Sequence, residues 1–119
     1  MEILNIAGAV MTLVMGCLGL FFPQRAAAFT GLKAVTPAGR SEFRSTFGGL
    51  FLLAGLAALV TQQPAAFLTL GAAWAGAASG RLLSILADKA NDPKNWAGVR
   101  FEAGFAALLL AGAPTALLR

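Results

Sequence analysis

The sequence predicts an all-α protein: a four-helix transmembrane bundle, with a short interfacial helix as a candidate in its first connection. Three observations predict it. Apolar residues make up 58% of the chain and charged residues 12%. That is about half the charged share of a soluble domain, too little to form a charged skin. Apolar stretches recur at close to the roughly 20 residues that a helix needs to cross a bilayer. Ala, Leu and Gly dominate those stretches without sustained apolar–polar alternation, which disfavours strands. With 119 residues, the chain reads as one integral membrane domain, 1–119.

The elements follow in order. Residues 3–22 form the first span, about 30 Å long as a helix, with Asn5 its only strongly polar residue. No Lys or Arg precedes it, and it is longer than a signal core, so a membrane helix is expected rather than a cleaved signal. Residues 23–41 make the one long connection. Within it Phe22, Ala26, Phe29 and Lys33 fall near one helical face behind Pro23, the pattern of a short helix on the membrane surface. An irregular loop is the alternative. The second span is 43–60. "TQQP", residues 61–64, is a tight hairpin that makes the second and third spans antiparallel neighbours. The third span, 64–87, opens on Pro64, a residue suited to a first turn. Residues 88–96 form a polar turn. The fourth span, 93–113 with 97 as the alternative start, has Asp92 as a plausible N-cap, Pro93 suited to a first turn and Pro114 against continuation.

Small residues recur every four positions at Gly8, Thr12 and Gly16, at Ala72, Gly76 and Gly80, and at Ala103, Ala107 and Ala111. Such stripes let helix backbones approach closely in lipid. Basic residues set the orientation. The first and third connections and adjoining helix ends hold Arg25, Lys33, Arg40, Arg44, Lys89, Lys94 and Arg100, while the other side has Arg119, the terminal amine and Glu2. The positive-inside rule therefore places those connections in the cytoplasm and both termini outside, in the inner (plasma) membrane. Trp96 stands where an interfacial aromatic is expected.

Composition also excludes chemistry. The chain has no His, which removes histidine metal sites and His-based triads. Cys17 is the single cysteine, so no internal disulfide forms, and its apolar surroundings suit packing. The net charge of +4 is spread over connections rather than one face, so nucleic acid is not an expected partner. The expected partners are membrane lipids, with other membrane proteins or a second copy of the chain as further candidates. No cofactor is expected.

One charge stands inside an apolar run: Arg81, in "ASGRLLSILADK", residues 78–89. An Arg near a helix centre costs roughly 2.5–3.5 kcal/mol on insertion. Phe67, Leu68, Leu70, Leu82, Leu83, Ile85 and Leu86 each offset roughly 0.3–0.6 kcal/mol, so the span inserts poorly alone. Arg81 either snorkels to the surface or finds a partner. Arg81, Ser84 and Asp88 share one face of the third span, while Glu42 and Arg44 open the second and Arg100 and Glu102 the fourth. These residues predict a buried Arg–carboxylate cluster of Glu42, Arg44, Arg81, Ser84, Asp88 and Glu102 in the cytoplasmic half. Arg100 and Glu102 lie about 200° apart on a helix, so only one of them faces inward, and spacing does not choose between them.

The segments "GCLGLFFPQRAAAFTGL", "GRSEFRSTFGGLFLLAGL" and "GRLLSILADKANDPKNWAGVRFEAG" resemble an uncharacterised family of small bacterial integral membrane proteins, classed as a domain of unknown function (DUF4345-like), with four helices. The resemblance covers nearly the whole chain. Its most specific parts are E-x-R-x-x-x-G-G (Glu42, Arg44, Gly48, Gly49) and G-R-x-x-S (Gly80, Arg81, Ser84). It implies Glu102 as the inward residue of the last helix, and it implies no activity.

Three classes of function remain. An accessory or structural membrane protein is favoured by small size and minimal loops, and needs a closed polar cluster. The alternative, a small oligomeric transporter or ion or proton pathway, needs a wet cavity reaching Arg81. The third, an intramembrane enzyme acting on a lipid or quinone, is disfavoured, because carboxylates, Arg and Ser84 alone are a thin toolkit for acid–base work.

Overall fold

A computed structural model of the chain describes residues 2–30, 32–33 and 35–111. Among them are five helices: α1 (Glu2–Phe21), α2 (Pro23–Thr30), α3 (Pro37–Thr61), α4 (Pro64–Ala87) and α5 (Pro93–Leu110). The chain is all-α as expected. α1 and α4 fall on the expected spans, and α2 is the short helix anticipated behind Phe22. Pro23, Pro37, Pro64 and Pro93 each open a helix, where a missing N–H costs nothing and the fixed φ suits the first turn.

α3 differs from expectation. It starts at Pro37, not at residue 43, because Thr36 is its N-cap, the hydroxyl accepting from the Gly39 N–H at 2.9 Å. Thr36-Pro37 is the same start signal as Asp92-Pro93, where the Asp92 carboxylate accepts from the Lys94 N–H at 2.8 Å. α5 begins where expected, while its expected end at 113 lies outside the described residues. By length and composition α1, α3 and α4 can each cross a membrane. α5 is not among them, since it carries Lys94, Arg100 and Glu102. The expected fourth span therefore lacks that support.

Successive long helices run antiparallel. Gly16 meets Leu52 and Gly55 meets Ala9 between α1 and α3, while Gly71 meets Leu110 between α4 and α5. The most extensive interfaces are α4 with α5 and α1 with α3, and α1 also packs on α5. α3 and α4 touch far less, although Gln62 and Gln63 join them directly. The short connection thus foretold their direction but not the principal neighbours. The Cα envelope measures 47 × 31 × 17 Å, a flattened arrangement.

The α1–α3 contact is backbone on backbone. A Cβ on Gly48 would stand 2.7 Å from Leu20 Cα, and one on Gly16 would strike the Leu52 backbone. Here α3 widens into a π-helical turn through Arg44–Gly49, where the Leu50 N–H donates to the Ser45 carbonyl. The core centres on Trp74. Its ring packs against Phe51 at 4.9 Å and edge-on against Phe105 at 4.6 Å. Its Nε1 donates to the Thr12 hydroxyl at 2.9 Å, and that hydroxyl donates on to the Gly8 carbonyl at 2.8 Å. One indole thereby joins all four long helices.

Candidate functional site

Asn95, Gly98 and Glu102 are spaced i, i+3, i+7, so α5 presents them on one face. That face meets Arg81 of α4. Arg81 Nε donates to Glu102 Oε1 at 2.6 Å and Nη1 donates to Asn95 Oδ1 at 2.9 Å. Asn95 is itself held, its Nδ2 donating to the Ala90 carbonyl at 2.9 Å. Gly98 makes room: a Cβ there would lie 2.7 Å from Arg81 Cζ and Nε. The guanidinium lies against bare backbone, with one edge on a carboxylate and the other on an amide oxygen. The Arg81 and Glu102 side chains keep 22% and 13% of their exposure, so the pair is half-buried.

The expected six-residue buried cluster does not assemble. Arg81 and Glu102 meet, and the other four lie elsewhere. Glu42 is exposed, because α3 lays its face on α1 whereas Arg81 faces α5. Asp88, roughly 10 Å further along the α4 axis than Arg81, accepts from the Ser84 hydroxyl at 2.8 Å instead. Arg44 donates from Nη1 to the Leu20 carbonyl at 2.6 Å. It caps the last turn of α1, where a cation also suits the helix dipole. Arg100 is exposed and Glu102 turns inward, the choice the resemblance implied.

Asn95 and Gly98 were missing from the sequence reading. The polar turn 88–96 expected from the sequence includes Asn95, yet Pro93 as the first helical residue places it inside α5 in register with Glu102. Two further polar groups close elsewhere. Only backbone carbonyls face the Asn5 amide on its α5 side, so its nitrogen points there. The carbonyls of Leu108, Leu109 and Ala111 stand 2.9, 3.2 and 3.0 Å from it, so its two N–H groups are shared among the orphan carbonyls at the end of α5. Lys94 Nζ donates to the Ala28 carbonyl at 3.0 Å, which fixes α2 to α5. Among the described residues no buried side-chain N or O lacks a partner, and no three His, Cys, Asp or Glu side chains gather as a metal site.

Among the described residues, fold and site define an all-helical protein with three membrane-capable helices and a half-buried Arg81–Glu102–Asn95 node between two of its helices. The chain belongs to the family described as a domain of unknown function (DUF4345), whose pattern matches residues 1–113. No curated protein and no solved structure matches it.

Proposed function

We propose that the protein is a non-catalytic, multi-pass inner-membrane protein that serves as an accessory or structural subunit. The commitment of Arg81 carries this reading. Its Nε and Nη1 donate to Glu102 and Asn95, and the guanidinium lies over Gly98, an arrangement suited to locking α4 to α5. An ion or proton pathway calls for a guanidinium facing water, and the apolar pocket between α1, α2 and α3 is lined by other residues.

In this reading α5 is the fourth span. Eighteen residues give it roughly 27 Å of length. Pairing with Arg81 neutralises Glu102, and Lys94 sits at the helix start, where an ammonium reaches the interface. The small-residue face of α4 is open: Gly76 and Gly80 have nothing within 4 Å of a Cβ position. Such a face suits close packing against a helix of another membrane protein, and a second copy of this chain is the competing occupant. Lipids cover the remaining apolar surface. The basic connections face the cytoplasm and both termini face outward.

Fusions with a cytoplasm-active reporter test the topology. Insertion between Ala90 and Asn91 gives activity, and fusion after Arg119 gives none; activity at Arg119 alone overturns the orientation, and activity at both sites overturns the four-span reading. Gentle detergent extraction followed by identification of co-purifying chains tests the subunit role. A lone monomer at every detergent concentration counts against it.

A further inference from the structure

A second feature lies away from Arg81, at the basic end of the molecule. α2 crosses over the last turns of α1 and the first half of α3, and beneath it is an almost wholly apolar cavity of about 260 Å³. Met15 and Leu18 of α1 form one wall. Phe43, Phe47 and Phe51 form the opposite one, with rings 4.6 Å apart in a stack and then 6.0 Å apart edge-on. The π-helical turn, Arg44–Gly49, lies between the first and last of these rings. A plain α-helix drifts steadily around its axis over i, i+4, i+8, and the wider turn sets that drift back, keeping all three rings on the cavity. π-turns of this kind recur at functional sites.

The lining has two polar residues: Thr30, whose hydroxyl donates to the Ala27 carbonyl at 2.9 Å, and Arg25. Arg25 contributes to the cavity and its Cζ stands 5.7 Å from the centre of the Phe22 ring, on an exposed side chain. The same end of the molecule, where α1 and α4 finish and α3 and α5 begin, also carries Lys33, Arg40, Arg44, Lys89, Lys94 and Arg100, against the exposed carboxylates Glu42, Asp88 and Asp92. Apolar walls with one exposed guanidinium among the lining residues match one ligand chemistry, a lipid whose hydrocarbon chain is joined to a phosphate headgroup. The surrounding excess of positive charge selects a headgroup with net negative charge over a zwitterionic one.

We infer that the cavity under α2 holds an acyl chain of an anionic glycerophospholipid, with Arg25 taking its phosphate. The site rests on the membrane reading above but not on the subunit role. α2 acts as a strap over the chain, fixed at its end by Lys94 on the Ala28 carbonyl, while Arg44 holds the end of α1.

Native mass spectrometry of the full chain in detergent, offered equal amounts of phosphatidylglycerol and phosphatidylcholine with identical acyl chains, tests this. The expected result is one retained phosphatidylglycerol, preferred by about tenfold. Arg25→Gln, on an exposed side chain, abolishes the preference, and Arg25→Lys partly restores it. Arg100→Gln removes the same charge at the same end but outside the cavity, and lowers the preference clearly less than Arg25→Gln does. Ala26→Leu fills the cavity and lowers retention of both lipids. Equal retention of the two lipids by the unaltered chain overturns the inference, as does equal loss in Arg25→Gln and Arg100→Gln, or unchanged retention in Ala26→Leu. Failure of the chain to sediment with membranes before extraction overturns the membrane reading itself, and is thereby distinguished from a failure of the site.

Discussion

At the scale of single residues, polar side chains inside the helices act as fasteners between elements. Partial burial sets the magnitude for Arg81 and Glu102. A fully buried pair costs about 3–5 kcal/mol to break, whereas a charged hydrogen bond contributes about 1.5–3 kcal/mol. With 22% and 13% of the side chains still exposed, Glu102→Gln is expected to lower stability by about 2 kcal/mol. A double-mutant cycle with Arg81→Leu should return most of that as coupling; additive losses would show that the pair is incidental. Gly98→Ala reaches the same bonds from the other side by pushing the guanidinium off its partners, and should cost about as much. Thr12→Val keeps the shape but strands the Trp74 N–H in the core. The expected loss is about 1–3 kcal/mol, read as a lower unfolding midpoint in detergent. An unchanged midpoint would show that the indole finds another acceptor.

At the scale of elements, close backbone approach and helix ends dominate. α1 and α3 meet through Gly16, Gly48 and Gly55, so the methyl group of Gly48→Ala has to move a backbone rather than a side chain. Overpacking of that kind costs about 1–3 kcal/mol and sometimes more, and Gly48→Ala should fall at the upper end. By contrast Gly76→Ala, with nothing near it, should leave the monomer's stability unchanged or slightly raise it through helix propensity. Equal effects of the two would refute the packing of α1 on α3. Lys89, just past α4, holds a left-handed φ of 56°, a conformation that costs a residue with a Cβ roughly 1–2 kcal/mol. Lys89→Gly is therefore expected to stabilise the turn into α5 by up to about 1 kcal/mol, measured by thermal unfolding.

For the whole molecule, charge distribution and insertion are coupled. In the proposed topology α4 inserts near neutrality because of Arg81, and α5 carries Glu102. Bringing the two together converts two isolated insertion costs of roughly 2.5–3.5 kcal/mol each into one hydrogen-bonded pair. The hairpin is accordingly the natural unit of insertion in the proposed four-span topology. Orientation is expected to depend on the basic end as a whole. Replacing Arg25, Lys33 and Arg40 together by Gln should produce a mixed population, seen as partial activity of a cytoplasmic reporter fused after Arg119. Retention of a single orientation would show that α1 alone sets topology.

Much of this was legible in the residues. Helical periodicity, the Pro residues at helix starts, the Asp92 cap and the short Gln62–Gln63 link are local signals, and α1, α2, α4 and the start of α5 follow from them. The start of α3 was equally local, carried by Thr36-Pro37, but the glycine and charges after it masked the pattern. Membership of the family is likewise a property of sequence, expressed in segments such as Glu42–Gly49 and Gly80–Ser84.

The pairing of helices was decided only in three dimensions. A sequence places charges at the same depth but does not say which helices share a long interface. Because α1 lies against α3 and α4 against α5, Glu42 and Arg44 went with the first pair and Arg81 with the second. The expected cluster became one ion pair, one helix cap at Leu20 and one local Ser84–Asp88 bond. Asn95, Gly98 and the Thr12–Trp74 bond likewise gain their roles from contact between distant stretches of chain. Helix formation depends on neighbours three and four residues away. Which charge meets which depends on how whole faces fit, and in this chain glycine-lined contact of α1 with α3 drew Glu42 away from Arg81.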